Sequence, residues 1–239
     1  MGVVAQQIPP ALAVAAHWAA QCPAEQLAAT AADFNQLHTQ AAQWPASKQP
    51  VLVHMLGLPG SGKSTVAGQL HQQLGNSFYA LDWDAVMLKL APFHADVPTL
   101  GNAAASHKWE LPARHYGYAL LHTLVQRRAN ILWDHGACNP HHPALLAWAK
   151  QQGYTTAMVH VDVPLDTALQ RVHTRNALAE ATGGRVIPAT LVTERHALLA
   201  ELKPQYEALV DVFVHLPHTA PAPAKTLADI AAQLLGKNN

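Results

Sequence analysis

From residue 51 onward, apolar runs of strand length take turns along the chain with longer segments of helical spacing. Ahead of them, residues 10–43 are rich in Ala, Gln and Leu. Pro10 suits a helix start and Pro23 a break, so two helices are predicted before the main fold. A short connector, Trp44 to Pro50, leads to Val51–Leu56, an apolar run of strand length that ends in Gly57. A helix is then predicted from about Lys63 to Gly75, with Val66, Leu70 and Leu74 on one face. Further strands are predicted at Ser77–Leu81, Asn130–Trp133, Thr156–Val161 and Val212–Leu216. Helices are predicted at Tyr116–Arg128, Pro143–Gln152, Pro164 to about Thr174 and Ala189–Lys203. Gly183 and Gly184 separate the last two, and a proline-rich linker, Pro217–Ala224, leads into a final helix ended by Gly236. Strands that alternate with helices in this way imply an α/β fold, a parallel sheet with helices on both faces and an N-terminal helical extension. The expected division is an extension over residues 1–50, a core over 51–216, and a linker with its helix over 217–239.

Composition narrows the function more than the fold. Across 239 residues, 15 basic side chains are balanced by 15 acidic ones, so no basic field exists to hold a nucleic-acid backbone. The 16 histidines begin to charge below about pH 6.5, which makes the net charge sensitive to mild acid. Cys22 and Cys138 are too few for a disulfide framework. With no signal-peptide pattern in residues 1–8 and no apolar window of spanning length, the expectation is a cytoplasmic protein without membrane partners.

The chemistry starts at Gly57-Leu58-Pro59-Gly60-Ser61-Gly62-Lys63-Ser64, which satisfies G-x-x-x-x-G-K-[ST] between a predicted strand and a predicted helix. Glycines at 57, 60 and 62 let backbone amides approach phosphate oxygens at a helix N-terminus. Lys63 supplies a positive charge for the β- and γ-phosphates, Ser64 a hydroxyl for Mg²⁺, and Thr65 stands beside it on the helix. ATP or GTP with Mg²⁺ is therefore the expected ligand.

Four features between residue 51 and about 200 resemble the zeta-toxin and related small P-loop kinases. They are Gly57–Thr65 preceded by helices, the strand end Leu81-Asp82-Trp83-Asp84, the apolar strand ending at Asp134, and a segment bearing Arg171, Arg175 and Gly184-Arg185-Val186-Ile187-Pro188. The resemblance implies a five-stranded parallel sheet of order 2-3-1-4-5, a nucleotide lid over about 171–188, and a second acid, Asp84, acting as base. It also implies transfer of a γ-phosphoryl group to a hydroxyl of a small molecule, such as a nucleotide sugar. A protein partner or antitoxin would then bind the N-terminal helices. A nucleotide-dependent switch without a small-molecule acceptor is the competing class.

Acids at the C-terminal ends of strands lie where open α/β sheets bind ligands. Asp84 is the candidate base, and Asp82 either rivals it or caps the following helix. Asp134 has two readings, holding the Mg²⁺ shell or binding the acceptor. Beside it, His135, Cys138, His141 and His142 raise a zinc alternative to a solvated loop. Arg171 and Arg175 are four apart and share a helix face, while Arg185 follows a glycine pair and can swing towards the nucleotide. Residues 91–116 show no helix period, and Lys108, Glu110 and Arg114 are the acceptor-binding candidates within them.

Overall fold

The structure, a computed structural model, describes residues 8–182, 186–217 and 224–236. Two helices, α1 (Pro10–Ala19) and α2 (Ala24–Ala42), lead into β1 (Val51–Leu56), α3 (Lys63–Leu74) and β2 (Phe78–Leu81). There follow α4 (Trp83–Met87), α5 (Ala91–Leu100), α6 (Asn102–Gln126), β3 (Asn130–Trp133), α7 (His142–Gln151) and β4 (Thr155–Val161). The chain closes with α8 (Leu165–Thr182), α9 (Ala189–Leu209), β5 (Val212–Leu216) and α10 (Ala224–Leu234).

The five strands form one sheet in the order β2-β3-β1-β4-β5, and every neighbouring pair is parallel. This is the order the kinase resemblance implied. Strand alternation sends Val51, Val53 and Met55 of β1 to one face, where they pack on Val66, Leu70 and Leu74 of α3 and Leu227, Ile230 and Leu234 of α10. Leu52 and Leu56 go to the other face, with Ile131, Trp133 and Met158, beneath residues of α1, α6, α7 and α9. Covering both faces explains why β1 lacks the polar alternation of a half-exposed strand. Its one polar residue, His54, is fully buried.

Strand positions and most helix starts follow the sequence expectation; the segment 91–116 does not. It is helical as α5 and the first half of α6, with Pro98 and Pro112 inside the helices. The expected helix at Tyr116 thus begins at Asn102. Its period is hidden because α6 is packed by α1, α2, α4 and α5 on several sides, so apolar residues surround it instead of forming one stripe. Helices α8 and α9 also run further than expected, to Thr182 and Leu209.

The N-terminal helices are tied to this wall. His115 Nδ1 meets the Ala15 carbonyl at 2.9 Å, the Thr30 and Tyr116 hydroxyls are 2.7 Å apart, and Asp33 accepts the Ala91 N–H at 2.8 Å. Ala11, Val14, Leu37 and Ala41 belong to the same buried cluster as the second sheet face. No helix among the described residues is long and apolar enough to cross a membrane.

Candidate active site

A cleft of about 400 Å³ opens at the C-terminal end of the strands, with the 57–65 turn as one wall and α4, α6 and α9 as the other. The turn takes its shape from glycine. At Gly60, φ is +83° and a Cβ would sit 2.6 Å from the Ala168 carbonyl oxygen, so no other residue fits without moving α8. Gly62, also left-handed, precedes Lys63 at the start of α3. Lys63 Nζ donates to the Leu58 carbonyl at 3.0 Å. Burial holds the Lys63 ammonium below the usual lysine range, partly offset by the charge of Asp134. Gly60, Gly62, Lys63, Ser64, Thr65 and Pro59 line the cleft; Leu58 is buried beneath it, and the Ser61 hydroxyl is buried without a protein partner.

Three carboxylates face this turn across the cleft. Asp82 ends β2 and caps α4, accepting from the Asp84 and Ala85 amides at 3.1 and 3.2 Å. Burial, then the neighbouring charges of Asp84 and Asp134, push its carboxyl up to about 6. Asp84 is the second residue of the short helix that Asp82 caps; it lines the cleft and is exposed. Asp134 follows β3, with its carboxyl set towards the Ser64 hydroxyl and the Lys63 ammonium. Burial raises it, while Lys63 and the Ser64 hydroxyl act in the opposite direction. An acid set towards the P-loop serine and the P-loop lysine fits a Mg²⁺ shell around a bound polyphosphate. The residues present therefore suit Mg²⁺ and a nucleotide.

Arginines converge on the same space. Arg171 Nη1 lies 3.4 Å from the carbonyl oxygens of Gly60 and Ser61, and Arg175, one turn on, also lines the cleft. Gly183, Gly184 and Arg185 lie outside the described residues. Asn176 of α8 bonds both the N–H and the carbonyl of Ile187, at 2.9 and 2.7 Å, which ties α8 to the segment that leads into α9. Arg195 lines the cleft as well and was not singled out by sequence. A signal for it exists: it lies three residues after Val192 and four before Leu199, both buried, so a cation occupies the apolar face of α9.

On the opposite wall, Glu110 and Arg114 of α6 line the cleft and pair with each other at 2.6 Å. The Arg114 guanidinium also stacks over Trp18 of α1, 4.9 Å from its ring centre. Lys108 is a correction. It does not line the cleft; it is exposed and pairs with Asp96 at 2.8 Å, because it projects from another side of α6. Trp83 packs flat against Gly117, where a Cβ would lie 2.2 Å from the indole, so α4 and its acid are held close to α6.

His135, Cys138, His141 and His142 do not gather in one cluster. His141 is exposed beside His17, and the Cys138 thiol donates to the Gly136 carbonyl at 3.2 Å. His135 and His142 instead meet His54 of β1, a residue sequence reading passed over.

Sheet order and phosphate-binding turn together make the molecule a P-loop protein of the kinase fold. A family model described as an AAA domain matches residues 52–192, and the chain belongs to that family. No curated protein matches it in sequence. Among solved structures it is similar to one from the PezAT chromosomal toxin–antitoxin system of Streptococcus pneumoniae, with a TM-score of 0.61 at 12% identity over 86% of this chain and 96% of the other. The AvrRxo1-ORF1:-ORF2 complex superposes with a TM-score of 0.58 at 16% identity, over 90% of this chain and 70% of the other. A protein of Chloroflexus aurantiacus, provisionally described as a kinase, gives 0.56 at 15% identity over 78% and 98%. The fold thus agrees with the zeta-toxin-like kinase resemblance drawn from residues 51 to about 200.

Proposed function

We propose that this protein is a kinase that transfers the γ-phosphoryl group of ATP or GTP to a hydroxyl of a small molecule. The observation that carries the reading is the meeting, in one cleft, of the P-loop lysine, Asp84 on the capped first turn of α4, and Arg171, Arg175 and Arg195. A protein that only bound nucleotide would need the turn; it would not need an acid and several guanidinium groups facing it.

In this mechanism Asp84 accepts the proton of the acceptor hydroxyl. The acceptor oxygen forms a bond to the γ-phosphorus as the bond from that phosphorus to the β–γ bridging oxygen breaks, and the nucleoside diphosphate leaves. Lys63 and the arginines stabilise the charge on the transferred group, with Arg185 a further candidate from the lid. Ser64 and Asp134 are the residues that would hold Mg²⁺, which would supply positive charge to offset that of the polyphosphate. Asp82 shapes the site by capping α4, which fixes where Asp84 stands. Glu110 and Arg114 are the acceptor-facing pair, and a nucleotide sugar, as in zeta toxins, is the first acceptor class to try. The outward faces of α1 and α2, whose inner faces are buried against α6, are the surface we assign to a protein partner or antitoxin.

Incubation with γ-labelled ATP, Mg²⁺ and a metabolite pool tests this. Label on a small molecule is the expected result, and label found only in free phosphate favours the nucleotide switch. Asp84→Asn is expected to lower transfer by about 10²–10⁴-fold while leaving Mg-ATP affinity nearly unchanged. Undiminished transfer in that variant removes Asp84 from the mechanism.

A further inference from the structure

His54, His135 and His142 come from three separate places: the centre of β1, the loop after β3, and the first residue of α7. One ring nitrogen from each lies within 4.8 Å of those of the other two. His54 and His142 have no solvent exposure. Both ring nitrogens of His54, Nδ1 of His135 and Nδ1 of His142 are buried without a hydrogen-bond partner. An imidazole has one donor and one acceptor nitrogen when neutral, and leaving either dry is costly. One of the two His54 nitrogens carries a proton, so the cluster offers up to three lone pairs, one from each ring, to an occupant that accepts them from several directions.

We propose that these three histidines form a binding site for a transition-metal dication, with Zn²⁺ the fitting ion. The ligand chemistry excludes Mg²⁺ and Ca²⁺, which take oxygen donors, and suits Zn²⁺, which takes imidazole. Tetrahedral ligation with Zn–N of about 2.0–2.1 Å puts ligand ring centres roughly 5 Å apart. The His54 and His142 centres are 5.0 Å apart, and those of His135 and His142 are 4.9 Å apart. Small side-chain rotations would bring the nitrogens to bonding distance.

The surroundings resemble those of a ligating histidine. His142 Nε2 lies 2.8 Å from the Tyr118 hydroxyl, which also accepts from Asn139 Nδ2 at 3.1 Å. A proton on Nε2, donated to Tyr118, frees Nδ1 of His142 for the metal and fixes its tautomer. Trp133 packs against both His54 and His142, at 3.9 and 4.5 Å between ring centres, and makes the pocket dry. Burial keeps all three imidazoles neutral, the form that ligates. Arg114, Arg195 and Lys63 oppose added positive charge at His135, whereas Asp82, Asp84 and Asp134 line the cleft that His135 borders. With no thiolate among its ligands, the site should bind more weakly than a cysteine-rich structural zinc site. A metal here would fasten β1 to α7 and set the floor of the acceptor side of the cleft.

The test uses the full chain without a polyhistidine tag, stripped by chelator and then supplied with one equivalent of Zn²⁺ or Co²⁺. We expect about one metal per chain retained through gel filtration, visible absorption bands of four-coordinate Co²⁺, and an X-ray absorption spectrum with an imidazole shell. His54→Gln and His142→Gln should lose the metal, and His141→Gln, at an exposed position outside the cluster, should keep it. Should the buried variants misfold, the spectrum of the wild-type chain decides by itself. No retained metal, an oxygen-only shell, or equal retention in well-folded His54→Gln overturns the proposal and leaves buried water as the partner of these nitrogens. None of these readouts depends on phosphoryl transfer.

Discussion

The two walls of the cleft are built by different means. The phosphate wall, residues 57–65 with the start of α3, is mostly backbone: its shape comes from left-handed glycines and its polarity from amides at a helix end. The facing wall, α4 to α6, which the proposed function gives to the acceptor, is side chains on helices, held by a capping acid, an indole against a glycine, and a stacked arginine. A backbone wall grips what all nucleotides share, and it can be written in eight residues. A side-chain wall can distinguish acceptors, but its form depends on contacts far apart in sequence. Substitutions should therefore act differently on the two sides: abolishing chemistry on the first, shifting stability and specificity on the second.

The sharpest probe of the phosphate wall is Lys63→Ala, for which transfer from γ-labelled ATP should fall about 10³-fold or more with the fold intact by circular dichroism. Comparable turnover in that variant would break the contrast at once. On the acceptor wall, Gly117→Ala forces a methyl group into the Trp83 indole and should cost about 1–3 kcal/mol in denaturant unfolding. Turnover at full occupancy of the folded state should change less than stability does.

Asp82 joins the two walls, and its carboxyl gives a test by pH. Raised to about 6 from the usual 3.8, it is protonated in both folded and unfolded chains below about pH 4 and charged in both above about 6. Its favourable contribution is complete at the acid end and is lost as pH rises through 6. Asp82→Asn still caps α4 but never carries the charge. Relative to wild type it should gain on the order of 2 kcal/mol between pH 4 and 7, read from paired unfolding curves. A constant difference across that range would show that Asp82 titrates normally. The smallest effect belongs to Lys108→Ala, which breaks an exposed pair with Asp96 and should alter transfer by less than about twofold. A large loss would put Lys108 back on the acceptor wall.

Legibility in sequence divides along the same line. Glycines 57, 60 and 62, Lys63 and Ser64 state their roles by spacing alone, because a tight turn between strand and helix is a local object. The acids Asp82, Asp84 and Asp134 were visible as strand ends and a cap was one of two readings of Asp82, yet the choice between those readings and the serine beside Asp134 were not. The first half of α6 escaped because Pro112 and apolar residues on several faces blur its period. Arg195 and His54 escaped because each stands on an apolar face and shows its partners only when that face is packed.

What the sequence determined by itself is the succession of the five strands with most of their helices, and the turn that receives phosphate, since both rest on backbone preferences within a dozen residues. Tertiary structure decided which acid is engaged in a cap and which faces the cleft, which cations reach it, and that three distant histidines share one dry pocket. Those outcomes depend on packing between segments far apart in the chain, 88 residues for His54 and His142 and 111 for Gly60 and Arg171, and no local pattern encodes such distances.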